Sequence, residues 1–180
     1  PDMASVKEDG DKGTVRVTDK RAATGKRSLI FADAAGVNPS WAPHAYWRPA
    51  IDAGAHRGRW SLFHEPGAVL YYEWRTDGSP YKVGPSISID AKGGVQIRNG
   101  PKTEIPARAW VEFVIHWRKG EKPGGEWDLE IRPAGRKAKR FERLGCDAGF
   151  DRLRWVGFSS TATGAAEFFV DDVEVAPVSP

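Results

Sequence analysis

The chain has 180 residues, 40% of them hydrophobic, which is enough apolar material to bury the core of one domain. Its 27 basic and 24 acidic residues leave a formal charge of +3, too even a balance for a polycation that wraps nucleic acid. A single cysteine, Cys146, excludes an intrachain disulfide and a cysteine-rich metal site, and no apolar stretch reaches the length of a membrane span.

The chain opens at Pro1-Asp2-Met3 with neither an initiator methionine nor a signal peptide, which reads as a mature form or a piece of a longer protein. Residues 1–12 and 176–180 are expected to be flexible ends of one domain spanning 1–180. Residues 14–17 and 28–31 alternate with the period of two that marks strands, and Thr24-Gly25 supplies the turn between them. Residues 33–52 read as a long connection rich in Pro, Ala and aromatic side chains, holding Trp41, His44, Tyr46, Trp47 and Arg48. A loop of that length needs its own anchors, so Trp41 and Trp47 are expected to cap the sandwich edge, with Trp47 at the rim of any groove.

Segments 60–64 and 69–75 read as a hairpin closed by Glu65-Pro66-Gly67, followed by strands at 86–90, 96–98, 110–117, 127–132, 154–159 and 168–175. Asp77-Gly78, Gly93-Gly94, Asn99-Gly100-Pro101 and Pro123-Gly124-Gly125 punctuate them as turns. No segment carries a helical stripe of adequate length, apart from single turns near 147–153. About ten short strands with such punctuation predict an all-β fold, a two-sheet antiparallel β-sandwich of the jelly-roll kind. Arg136, Lys137, Lys139 and Arg140 lie within 132–143 and read as a solvated hairpin tip rather than a polyanion patch. Trp117, Trp127 and Trp155 sit within strands and are expected in the core.

On the strand 69–75, alternation puts Leu70, Tyr72 and Trp74 on one face and Tyr71, Glu73 and Arg75 on the other. If the first face fills the core, the second is a polar row beside an aromatic ring. That mixture suits sugars, whose C–H faces stack on rings while their vicinal hydroxyls bond to carboxylate and guanidinium groups. An ion pair on a solvated sheet predicts the same residues. On 110–118, Val111, Phe113, Ile115 and Trp117 form the core face. Glu112, His116 and Arg118 lie opposite and would line a concave surface with Ser86, Ser88, Gln96 and Arg98 if pairing followed chain order.

None of the four histidines, His44, His56, His64 and His116, stands in a metal-binding spacing, and no glycine-flanked nucleophilic serine is present. The paired carboxylates of a retaining glycosidase are not found in 65–73. A lyase would want Arg, Gln, His and Tyr, which Arg75, Gln96, His116 and Tyr71 could supply. The closing strand is unusual in carrying Asp171-Asp172. Burying an unpaired charge is costly, so at least one of these carboxylates needs a cation, an Arg or loop N–H groups as partner.

The segment Gly25-Lys26-Arg27-Ser28-Leu29, the strand Trp110-Val111-Glu112-Phe113 and the ending Phe169-Val170-Asp171-Asp172-Val173-Glu174-Val175 resemble the concanavalin A-like and carbohydrate-binding-module jelly rolls of bacterial polysaccharide-degrading systems. The likeness spans most of the chain and rests on short motifs. It implies a structural calcium held by an acid near the first strand and an Asp of the last. Asp33 with Asp171 is the preferred pair, Glu8 or Asp9 the other source of the first ligand, with backbone carbonyls completing the shell. It also implies a polysaccharide partner, neighbouring domains in a larger chain, and a secreted or cell-surface location. The lyase strand motif Tyr-Phe-Lys-Ala-Gly of jelly-roll alginate lyases is absent. The leading expectation is a non-catalytic polysaccharide-binding module using Tyr71, Glu73, Arg75, Arg98 and His116 with Trp47 at the rim. A jelly-roll lyase or glycoside hydrolase, and a spacer domain of a larger enzyme, are the alternatives.

Overall fold

A computed structural model describes residues 5–8, 12–52 and 54–178. Among these residues every regular element is a strand: β1 (Ser5–Lys7), β2 (Thr14–Thr18), β3 (Ser28–Asp33), β4 (His44–Trp47), β5 (His56–His64), β6 (Leu70–Arg75), β7 (Val83–Ile89), β8 (Gly94–Ile97), β9 (Lys102–Glu104), β10 (Trp110–Arg118), β11 (Glu126–Pro133), β12 (Lys139–Gly145), β13 (Trp155–Ser160) and β14 (Ala166–Pro177). They form two antiparallel seven-stranded sheets, ordered β1-β4-β13-β6-β7-β8-β9 and β12-β11-β10-β5-β14-β3-β2. This is the β-sandwich that the alternation and turn signals predict.

Each strand turns one face of its alternation inward. On β6, Leu70, Tyr72 and Trp74 are buried, and on β10 the inward set is Val111, Phe113, Ile115 and Trp117. Aromatic rings knit the two sheets together. Trp60 of β5 stacks on Phe113 at 5.0 Å and lies 3.9 Å from Tyr72, which in turn lies 4.6 Å from Phe158 of β13. Burying each such phenylalanine contributes about 1.5–3 kcal/mol. The Tyr72 hydroxyl accepts a hydrogen bond from Trp74 Nε1 at 2.6 Å, so neither polar atom is left unpaired inside.

Several features depart from the sequence reading, the first being that 60–64 and 69–75 lie in different sheets and form no hairpin. The connection 33–52 contains a strand, β4, which pairs with β1 and β13. The stretches read as flexible ends carry paired backbone: Ser5–Lys7 opposes Tyr46 to His44, and Ala176 and Pro177 oppose Arg57 and His56. Pairing also breaks chain order at β10. It lies between β5 and β11 in the second sheet, so His116 and Glu112 are not neighbours of Ser86, Ser88, Gln96 and Arg98.

The Asp171-Asp172 step is a β-bulge against β5. Asp171 Oδ2 accepts the backbone N–H of Ala23 at 2.8 Å and of Thr24 at 3.2 Å, and its Oδ1 accepts the N–H of Asp172 at 2.9 Å. Asp172 adopts a φ of 52° and accepts the Thr24 hydroxyl. Loop N–H groups, the third of the expected partners, thus satisfy the carboxylate. Asp33 and Asp171 cannot share a calcium ion. Asp33 opposes Ala166, five residues up β14 from Asp171, or about 16 Å at the usual strand rise. Oxygens on one ion must each lie near 2.5 Å from it. Asp33 instead accepts Ser160 Oγ at 2.5 Å and Ala34 N–H at 2.8 Å. Glu8 accepts the Val15 N–H at 2.6 Å, and Asp9 lies outside the described residues. No group of three or more metal-ligating side chains is gathered among the described residues.

Candidate functional site

The outer faces of the two sheets differ in what their polar atoms do. On the second sheet the charges pair with one another. Arg132 donates to Glu112 and Glu130, both at 2.8 Å, Arg118 to Asp128 at 2.6 Å, and Arg59 lies 3.7 Å from Glu112 and 3.5 Å from Glu174. Beside this lattice Ile30, Phe63 and Phe169 form a small apolar cluster with Trp110, roofed by the Arg21 guanidinium 4.3 Å above Phe63. His116 stands exposed on this face. Partial desolvation of the ring, then the Arg57 charge, lowers its pKa from the ordinary value.

On the first sheet the outward residues line up in rows across the strands. One row runs Lys7, His44, Ser159, Tyr71, Ser88, Gln96 and Lys102 through all seven strands. The next contains Tyr46, Gly157, Glu73 and Ser86, and a third contains Trp155 and Arg75. Gly157 makes the floor of this surface possible. A Cβ there would lie 2.7 Å from the Trp155 ring and 2.8 Å from the Ala45 carbonyl oxygen. Its absence lets the indole lie across the strand and stack on Tyr46 at 5.6 Å.

The aromatic array continues in both directions. Trp41, which is 40% exposed, lies 4.9 Å from the His44 ring, and His44 lies 5.1 Å from Tyr46. The Arg75 guanidinium sits 4.1 Å from the Trp155 ring centre and 4.4 Å from that of Tyr81. Arg75 is also locked to Glu73, with its Nε 2.6 Å from Oε1. Glu73 therefore faces outward, as parity predicts, yet is covered by its own partner and is only 8% exposed. Arg48 caps the end of β4 with its guanidinium 5.5 Å from the Tyr46 ring centre.

Two adjoining cavities open here. One of about 330 Å³ is lined by Trp41, His44, Tyr46, Tyr71 and Ser159, the other of about 380 Å³ by Pro49, Thr76, Asp77 and Arg154, and both share Arg48, Arg75, Tyr81 and Trp155. The first holds unused hydrogen-bonding capacity: Ser159 Oγ, in a residue 1% exposed, and both ring nitrogens of His44 have no partner among the described residues. Buried polar atoms are usually paired, and these share their unsatisfied state with atoms away from the cavity, among them both ring nitrogens of His56 and the Nε of Arg57, so it is their setting beside the rings that distinguishes them. Burial, then the charges of Arg75 and Lys7, push the His44 pKa down to about 4. At neutral pH its ring is uncharged, with one nitrogen to donate and one to accept.

Of the residues chosen from sequence, Tyr71 and Arg75 line this cavity and Glu73 braces Arg75. Arg98 lies on the same sheet face but is held by Asp147 at 2.5 Å, outside the cavity lining. His116 is on the opposite sheet. Trp47 points inward, edge-on to Phe158 at 6.3 Å, and lines a separate cavity of about 350 Å³ at the sandwich seam with Val156, Val173 and Val175. Trp155 is on the outer face, not in the core. The alternation of Val156 and Phe158 inward with Trp155, Gly157 and Ser159 outward carried that signal. His44 and Tyr46 alternate in the same way with buried Ala45, but proline on both sides disguised so short a strand.

Solved structures of carbohydrate-active proteins share the β-sandwich fold of this chain. It is similar over 98% of its length, and over 91% of the other chain, to an endo-β-1,4-glucuronan lyase from the fungus Trichoderma reesei (TM-score 0.67, 12% identity). It is similar over 91%, and 87% of the other chain, to a PL-14 alginate lyase from Aplysia kurodai (TM-score 0.67, 10% identity). A carbohydrate esterase of the Shiga toxin-encoding bacteriophage phi24B matches over 98% of this chain and 91% of its own (TM-score 0.64, 12% identity). Identities this low speak for the fold. No protein-family model and no curated protein matches the sequence. No helix among the described residues is long and apolar enough to cross a membrane.

Proposed function

We propose that this domain binds a polysaccharide across the outer face of the β1-to-β9 sheet, over the cavity bounded by His44, Tyr71, Trp155 and Ser159. The observation that carries the reading is the meeting of unpartnered polar atoms, Ser159 Oγ and the His44 nitrogens, with a run of rings from Trp41 through His44 and Tyr46 to Trp155, which the Arg75 guanidinium links to Tyr81. A pyranose presents an apolar C–H face and a rim of hydroxyls, so it needs both kinds of partner at once. The row geometry gives it length, since seven strands spaced at about 4.8 Å make a track near 29 Å wide. A chain polymer of this kind is met outside the cell, and the proposal carries that location with it. Folds of this class host many chemistries, so the residues rather than the neighbours bear the weight.

Affinity electrophoresis against a panel of polysaccharides tests it. Retardation on at least one is expected. Trp155→Ala should weaken it at least about fivefold, because losing a stacking ring costs about 1–3 kcal/mol on other planar ligands. A wild type that migrates freely on every polymer would sink the reading.

One observation favours a second reading, cleavage by elimination. His44 is neutral with a nitrogen free to take a proton, and the Tyr71 hydroxyl borders the same cavity as a possible donor to a leaving oxygen. Two of the fold neighbours are named as lyases. Ultraviolet absorbance from unsaturated sugar ends on incubation with a polyuronate, lost in His44→Gln, would promote it over simple binding. Glycosidase chemistry is less well served, because Glu73 is tied to Arg75 and Asp52 to Arg154.

A further inference from the structure

The groove's charges are mostly cancelled in pairs, and the exception has a sign. Glu73 neutralises Arg75, and Asp52 neutralises Arg154. Arg48 has no carboxylate partner among the described residues, and its guanidinium lies over the Tyr46 ring. It lines both cavities of the groove as well as the neighbouring seam cavity, so the residue stands where the three adjoin. Lys7 and Lys102 stand at the two ends of the long cross-strand row. Asp77 is the remaining acid in the lining of the two groove cavities, and Glu174, which lines the seam cavity with Arg48, lies 3.5 Å from Arg59. A ligand that brought negative charge to this face would meet an uncompensated guanidinium in its middle and ammonium groups at its edges.

Resting on the reading above, we propose that the polysaccharide bound in this groove is anionic, a carboxylate-bearing chain whose acid groups are anchored by the Arg48 guanidinium. Arginine suits this task because its planar fork matches a carboxylate with two parallel N–H···O bonds, and because stacking on Tyr46 leaves its edge available. Ser159 and His44 would take sugar hydroxyls beside it, which needs no further charge in the lining.

The test uses two oligomers of the same length and linkage that differ only at C6, a β-1,4-linked glucuronic acid hexamer and cellohexaose, titrated calorimetrically into wild type, Arg48→Gln and Arg48→Lys at low and at moderate salt. The acidic hexamer is expected to bind about tenfold or more tightly than cellohexaose at low salt, as a charge-assisted pair allows. Salt should erode the preference, Arg48→Gln should abolish it, and Arg48→Lys should retain part of it. Arg48 is exposed, so the variants should keep the wild-type melting temperature. Equal affinity for both oligomers, or a preference that survives in Arg48→Gln, overturns the anionic assignment and leaves polysaccharide binding standing. Failure of both oligomers and of every polymer in the electrophoresis panel overturns the two together.

Discussion

His44 shows how one side chain can be dear to stability and useful to a ligand. Its pKa is held at about 4 by burial and by the charges of Arg75 and Lys7, against about 6.5 when unfolded. Between those values the unfolded chain takes up a proton that the folded chain refuses. Stability therefore rises with pH across that window, is fully present above 6.5, and is lost as pH falls toward 4. His116, also shifted down, acts with the same sign. His44→Gln should flatten the rise of melting temperature between pH 4 and 6.5, and the His44 ring should titrate near 4 by NMR. A wild-type slope retained in the variant would mean that the imidazole is not the group responsible. At this scale the sequence was least informative, because nothing in a lone histidine among prolines reveals that its nitrogens lack partners.

Elements were easier to read when their alternation ran long. β6 and β10, six and nine residues long, declared their inner faces, since alternation sustained over that length leaves few other packings for Trp74 or Phe113. β4, with four residues between prolines, did not. The closing strand is the instructive middle case. Its two aspartates signalled a dedicated partner, and the backbone N–H groups of residues 23 and 24 supply one. Asp171→Ala removes the acceptor of both N–H groups and should destabilise the fold by about 2 kcal/mol in urea unfolding. Excess chelator should not reproduce that loss, as it would if calcium held the carboxylate. On β13, Gly157→Ala tests the floor of the groove. The added methyl meets Trp155 and the Ala45 carbonyl, so about 1–3 kcal/mol of stability, and ligand retention with it, should be lost as the indole is displaced. Unchanged tryptophan fluorescence and binding in that variant would contradict the packing described.

Across the whole molecule, the step that sequence could not supply is which strand lies beside which. Side-chain parity is local and follows from a period of two, whereas a jelly roll sends the chain from one sheet to the other between consecutive strands. That is why Tyr71 and Arg75 were found together while His116 was grouped with them across sheets: β10 left for the second sheet, whereas Arg98 shares the face of Tyr71 and is held by a loop carboxylate from beyond β12. The two outer faces then acquired different characters. Glu112, Glu130 and Arg132 pair with one another, although Arg57 and Arg59 beside them keep an Nε with no hydrogen-bond partner, while the face bearing Ser159 and His44 sets its unspent polar atoms among rings. A ligand gains little by breaking a surface ion pair and more by filling a site already desolvated and incomplete. The expected contrast is sharp. Ser159→Ala and Tyr71→Ala should each weaken polysaccharide retention several-fold, whereas His116→Ala and Arg132→Ala should leave it within experimental error in the same gels. Were His116→Ala to match Ser159→Ala, the ligand would have to lie on the salt-bridged sheet, and the division of labour between the two faces would be reversed.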